Sequence, residues 1–250
     1  MGACQTGNTA GRDSGVTPEA KEFPNVGFVE ADTGVCTGTL ISAHWVLTAG
    51  HCVDERPVKD YRFTLDANPN VNNPEWSQAD GVTIHPEYEI KYETPGVDAA
   101  LIHLAAPVPG FDPAKRLALS TEDIAAIKGF TLLNVGYGEN FDDPGGYRRV
   151  KDLKYDEYFE LPAKTLKFKR GGISITRSKT NELGCAGDSG SPLVLKHAGG
   201  YSLMGVYSTS ESKDIAKIPE KQECKIGDTH GNYIAASTFE KWVKQVTATE

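Results

Sequence analysis

The chain has 250 residues, 39% of them hydrophobic and 24% charged, the ordinary balance of a globular protein with ample length to bury a core. A formal net charge of −8 argues against nucleic acid as a partner, and no apolar run reaches the roughly 18 residues that a membrane-crossing helix needs. Five cysteines with no Cys-x-x-Cys pair or Cys/His cluster speak against structural zinc; four of them allow two disulfides, and with them an oxidising compartment.

Residues 1–22 are rich in Gly, Thr, Ser and Asp and read as a flexible arm or propeptide. From Phe23 onward short β-prone runs follow one another: VGFVEA, CTGTLIS, WVLTAG, RFTLDA, GVTIHP and AALIHL, each bounded by Gly, Pro, Asn or Asp. Residues 107–128 read as a crossing between two halves. The second half continues in the same style with FTLLNVGYG, KTLKFKRG, ISITRS, SPLVLK, YSLMGVYS and NYIAAS. Only STFEKWVKQVTATE has helical spacing. Phe239, Trp242, Val243 and Val246 fall on one face there, with Ser237 or Thr238 as the cap. Many short strands and a single helix predict an all-β protein of antiparallel barrels or sandwiches.

Three stretches carry chemistry. SAHWVLTAGHCVD places His51 at the end of an apolar strand, GVDAALIHLAAPV places Asp98 before another, and GCAGDSGSPLV places Ser189 in a glycine-flanked turn. A serine hydroxyl needs a base to take its proton, an imidazole near neutrality suits that task, and a carboxylate fixes the imidazole tautomer. The α/β-hydrolase elbow G-x-S-x-G fits less well. Here the run is Gly187-Asp188-Ser189-Gly190-Ser191, and although Asp214, Asp228 and His230 follow it, the alternating strand–helix pattern is absent. His44, His85, His103 and His197 show no ligand spacing and read as structural or solvated. The acidic and Asn-rich loop over residues 66–80 has no recognisable calcium-ligand spacing.

In this order the motifs resemble those of the chymotrypsin-like (trypsin-like) serine proteases over nearly everything from Phe23 to the end. EFPNVGFVE, CTGTLIS, WVLTAGHC, TIHPEY, DAALIHL, VGYG, GCAGDSGSPLV, LMGVYS and GNYIAAS carry the likeness. The resemblance implies two antiparallel six-stranded Greek-key β-barrels packed face to face with a C-terminal α-helix. It divides the chain into a first barrel over residues 23–120, a second over 121–236 and a helix over 237–250. It implies a serine endopeptidase working through an acyl-enzyme, with Ser189 as nucleophile, His51 as general acid–base and Asp98 as orienting acid. The N–H groups of Gly187 and Ser189 would form the oxyanion hole. Disulfides Cys36–Cys52 and Cys185–Cys224 are implied, as are protein or peptide substrates, no cofactor or metal, a monomer, and a secreted, extracellular or periplasmic, bacterial setting.

The family pattern is broken in several places. Active members begin with Ile-Val-Gly-Gly, whose ammonium pairs with the acid before the nucleophile, here Asp188. This chain offers only Val16 in DSGVTPEA. Either a cut near residues 15–16 frees that ammonium and the whole chain is a zymogen, or Asp188 finds another cation or hydrogen-bond donors. Leu183 stands where trypsins place an acidic pocket base. The pocket walls implied are Gly184, Ala186, Ser208, Thr209, Ser210 and Gly231, with Ser210 in place of a glycine, and together they predict small or medium apolar specificity. Glu182 or Glu211 at the rim could still attract a basic side chain. Cys4, left without a partner, lies in a Gly-Ala-Cys-Gln run that reads as a lipoprotein anchor or as a free thiol. The alternative to an enzyme is a silent homologue acting as a binding or adhesion module.

Overall fold

Strands β1 (Val26–Ala31), β2 (Gly34–Leu40), β3 (Trp45–Thr48), β4 (Arg62–Thr64), β5 (Ser77–Ile84) and β6 (Ala100–Leu104) close into a barrel. Its strand order is β1-β2-β3-β6-β5-β4, and β4 returns to pair with β1. The computed structural model describes residues 16, 18–31, 34–54, 56–70, 73–88, 96–120, 122, 131–138, 146, 148–154, 172–176, 185–212 and 229–248. The period-two alternation of a strand sorts its side chains. In β6, Ala100, Ile102 and Leu104 fill the barrel with Val29, Leu40, Val46 and Phe63, while Leu101 points the other way. Buried on both faces except at half-buried His103, this strand reads in the sequence as a nearly continuous apolar run.

The second half contributes β7 (Ala118–Leu119), β8 (Thr131–Gly136), β9 (Arg149–Lys154), β10 (Gly172–Thr176), β11 (Pro192–His197), β12 (Gly200–Ser212) and β13 (Thr229–Ala235). Their order is β10-β13-β12-β11-β8-β9, with β7 added in parallel to β12. Leu132, Ile173, Leu193, Leu195 and Tyr233 form this sheet's own core. Val135, Val194, Leu203 and Val206 turn instead toward Phe28, Leu47 and Leu101 of the first barrel, so one apolar cluster joins the halves. Helix α1 (Ala236–Thr247) closes this cluster with Phe239 and Val243. Trp242 and Val246 pack against it half-buried, on the face that the spacing predicts.

Some local expectations change. Residues 18–22, expected to belong to a loose arm, form a short 3-10 turn with Ala20 fully buried. The reason is apolar burial at its end, where the Phe23 ring packs edge-on against Tyr201 at 4.8 Å. The helix begins at Ala236 and not beyond Ser237, because β13 runs into it and buries Ala235 and Ala236. Its N-cap is Ala235, with no side-chain hydrogen bond. β7 lies within the 107–128 crossing and belongs to the second sheet, whereas the division by resemblance assigned it to the first barrel. Cys4 and residues 155–171, including KTLKFKRG, lie outside the described residues. No described helix is long and apolar enough to cross a membrane.

Phe239 is fully buried where both halves and the helix meet. Phe239→Ala is expected to cost about 3–5 kcal/mol of stability, read as a lowered denaturant midpoint at unchanged slope.

Candidate active site

β3 ends at Thr48, and the chain turns at once into a 3-10 segment, Gly50–Cys52, that carries His51. Cys52 is disulfide-bonded to Cys36 on β2, which ties the turn to its neighbouring strand. Asp98 stands just before β6, beside β3, so the β3–β6 pairing sets the acid next to the imidazole. Asp98 Oδ1 accepts the His51 backbone N–H at 2.9 Å, and Oδ2 accepts from His51 Nδ1 at 2.7 Å. Since a carboxylate only accepts, Nδ1 holds the proton and Nε2 presents a lone pair. Nε2 lies 3.9 Å from the Cys52 sulfur, a van der Waals contact that leaves this lone pair available to the cleft.

A third donor reaches the same carboxylate from the other sheet. In β12 the register against β13 slips between Tyr207 and Thr209. This bulge turns Ser208 inward, and its hydroxyl donates to Asp98 Oδ2 at 2.5 Å. Ser208, expected as a pocket wall, is thus aimed at the acid. Burial alone would raise the Asp98 pKa, but the His51 hydrogen bond and charge and the Ser208 bond outweigh it and hold the group below its usual value. For His51 burial pulls downward, yet the hydrogen bond to Asp98 and the charges of Asp98 and Asp54 prevail, and the imidazole titrates above 6.5.

Ser189 sits in a tight turn before β11. The Asp188 N–H donates to Cys185 O at 2.8 Å and the Ser191 N–H to Asp188 O at 2.8 Å. Gly187 has φ +91° and Gly190 φ +80°, the left-handed region that side chains avoid, which explains the glycines flanking Asp-Ser. Asp188 is completely buried, and its carboxylate accepts the N–H of Gly138 and of Cys185, each at 2.9 Å. Two backbone donors thus offset part of the cost of burying this carboxylate. A Cβ on Gly138 would fall 2.3 Å from Asp188 Cγ, so only glycine lets β8 run on past the acid. Among the described residues, neither the Gly187 nor the Ser189 N–H donates a hydrogen bond.

His51, Ser189 and Gly187 line one cleft with Ala186 and the Cys36–Cys52 pair. No hydrogen bond joins Ser189 Oγ to His51 Nε2 in this geometry; contacts of this kind commonly tighten only when substrate is bound. Of the residues expected to form the specificity pocket, Ala186 and Thr209 are exposed, Gly231 is buried, and Gly231 pairs with Ser210 across β12 and β13. Leu183, Gly184 and Cys224 lie outside the described residues. Cys185 is disulfide-bonded to a partner outside them. Val16 is half-buried.

Cys36, His51 and Cys52 also come together in a metal-like group, but both sulfurs are consumed by their disulfide and offer no thiolate. His85 is buried against Trp242 and accepts the Glu87 N–H, and His44 hydrogen-bonds Leu104 O, both structural uses. Sequence reasoning missed Thr37. The residue is fully buried on β2, and its hydroxyl and N–H both reach the Ser189 turn. Nothing in the local pattern singles it out, since a threonine suits any strand.

The fold and this arrangement agree with the comparisons to known proteins. The trypsin family model matches residues 13–243, and the chain belongs to that family of trypsin-like serine proteases. Chymotrypsin-like elastase family member 1 of Macaca fascicularis is similar to it. The two are 25% identical over 228 residues, which cover 85% of this chain and 79% of that protein.

The raised His51 pKa means that the fold holds this proton to higher pH than the unfolded chain does. The stability it contributes is full below 6.5 and is lost as pH rises through the folded value. Ring-proton NMR is expected to show His51 titrating above 6.5, and Asp98→Asn is expected to lower that midpoint. An unchanged midpoint in the variant would contradict the pairing.

Proposed function

We propose that the protein is an active serine endopeptidase. The observation that carries this reading is the Asp98–His51 hydrogen bond at 2.7 Å, in the cleft that Ser189 and Gly187 also line. Ser189 Oγ attacks the scissile carbonyl carbon while His51 Nε2 takes its proton, and the C=O electron pair moves to oxygen as the C–O bond forms. Asp98 stabilises the resulting imidazolium. The N–H groups of Gly187 and Ser189 receive the oxyanion. His51 then returns the proton to the leaving amine, and water, activated by the same imidazole, hydrolyses the acyl-enzyme.

A chain that still carries residues 1–15 already seats Asp188 on backbone donors, which supports activity without a cut near residues 15–16. The disulfides support an oxidising, exported setting. Leu183 in place of an acidic pocket base, with the likeness to an elastase-type protein, supports cleavage after small or medium apolar residues.

A fluorophosphonate probe is expected to label full-length protein at Ser189, its N-terminus intact, and Ser189→Ala is expected to abolish labelling. Labelling only after N-terminal trimming would restore the zymogen reading. No labelling in either form would leave a silent homologue that binds and does not cleave. For ester hydrolysis, kcat/KM is expected to rise with pH as His51 loses its proton, with a midpoint above 6.5. Asp98→Asn is expected to cost about 10⁴-fold in kcat, the scale at which a Ser-His-Asp triad loses its tautomer control.

Specificity has a separate readout. In a peptide library, cleavage is expected to concentrate after Ala, Val or Leu, and dominance of Arg and Lys would refute the apolar pocket.

A further inference from the structure

We infer that Thr37 is a positioning residue for the oxyanion turn: its side-chain hydroxyl fixes the peptide that follows Gly187. The inference rests on the endopeptidase reading and deepens it. Thr37 Oγ1 donates to Gly187 O at 2.9 Å and accepts the Tyr137 N–H at 3.1 Å. An amide N–H can only donate, so the hydroxyl proton is committed to Gly187 O and the relay has one direction, from Tyr137 through Thr37 to Gly187. Thr37 also donates its own N–H to Ser189 O at 2.8 Å, and its carbonyl accepts from Thr48 Oγ1 at 2.9 Å. One residue of the first barrel thereby holds the carbonyls on both sides of Asp188. The side-chain contacts span 150 and 100 residues of sequence.

Gly187 is where such an anchor matters most. The Cys185–Asp188 turn closes through the Asp188 N–H and Cys185 O, and its third residue has φ +91°. That is the type II form; a type I turn of the same four residues needs φ of about −90° there. Interconversion rotates the Ala186–Gly187 peptide through roughly half a turn and sends the Gly187 N–H to the opposite side. Glycine adopts either φ with little steric cost, so Gly187 itself does not hold the choice. The Asp188 carboxylate holds the Cys185 N–H at the start of the turn and Thr37 holds Gly187 O at its end. Both pins act on either side of the rotating peptide, so they set where the turn sits against the first barrel and where Gly187 is presented to the cleft. Without the hydroxyl, the downstream peptide keeps only its Asp188 N–H bond to Cys185 O, and a buried acceptor and the Tyr137 N–H lose their partner.

The test compares Thr37→Val, which keeps the shape and removes the hydroxyl, with Thr37→Ser, which keeps the hydroxyl. A fluorophosphonate counts competent sites, and ester kinetics are expressed per counted site. Thr37→Val is expected to lower kcat about 10- to 100-fold, somewhat less than outright loss of an oxyanion donor, with KM unchanged within about twofold. Thr37→Ser is expected to retain most of kcat. A Thr37→Val kcat per site equal to wild type, or Thr37→Ser as impaired as Thr37→Val, would overturn the assignment. If Thr37→Val does not accumulate as folded protein, Thr37→Ala is judged by the same two comparisons. Wild-type protein that takes no label, whole or trimmed, sinks the endopeptidase reading itself, a result distinct from labelled wild type whose Thr37 variants turn over normally.

Discussion

The Asp98 carboxylate is the point on which the two halves converge. It is buried, and it takes the backbone and imidazole N–H of His51 from its own barrel and the Ser208 hydroxyl from the other sheet. An unpartnered charge so deep would cost several kcal/mol, so the docking of the sheets and the satisfaction of the acid depend on each other. The apolar cluster around Leu47, Leu101, Val135 and Val194 provides the attraction between halves, but it is non-directional. The hydrogen bonds to Asp98 set the relative placement that the cluster alone would leave loose. They also explain why the imidazole, though partly buried, keeps its affinity for a proton.

A second carboxylate organises the other side of the cleft in the same way. Asp188 is fully buried and faces the end of β8, where Gly136 and Gly138 leave no space for a Cβ. Consecutive N–H groups of Tyr137 and Gly138 serve Thr37 and Asp188 in turn. The end of one strand therefore positions both supports of the Ser189 turn. Gly190 completes the fit, since a side chain there would fall 2.1 Å from Thr48 Oγ1. The glycines conspicuous in the sequence are spaces required by neighbours on two different sheets.

How far the sequence reveals this depends on the range of the interaction. Strands with strong β-branched or apolar runs, such as VGFVEA in β1 and AALIHL in β6, are legible because both faces or one whole face is buried. β9, whose sequence is RVKDLK, is not legible, since its charged residues interrupt the alternation and its pairing with β8 alone defines it. β7 is two residues long and exists only because β12 lies beside it. The helix face was readable from its spacing, but its start was not, because β13 runs into it. His51, Asp98 and Ser189 stand out through motifs with chemical meaning. Ser208 was expected at the pocket wall because a bulge, invisible in sequence, decides where it points. Thr37 escaped for the same reason, its partners being set by tertiary contact.

The groups that meet in the cleft are far apart along the polypeptide. Asp98 and Ser208 are separated by 110 positions, and Thr37 and Gly187 by 150. During synthesis the first barrel emerges complete while the serine turn and its supports have yet to be made, and non-local contacts of this span form late in folding. A half-finished or broken chain therefore exposes an imidazole without its hydroxyl, or a hydroxyl without its imidazole. The architecture divides these groups among fragments, and only the assembled molecule brings His51 and Ser189 to one cleft.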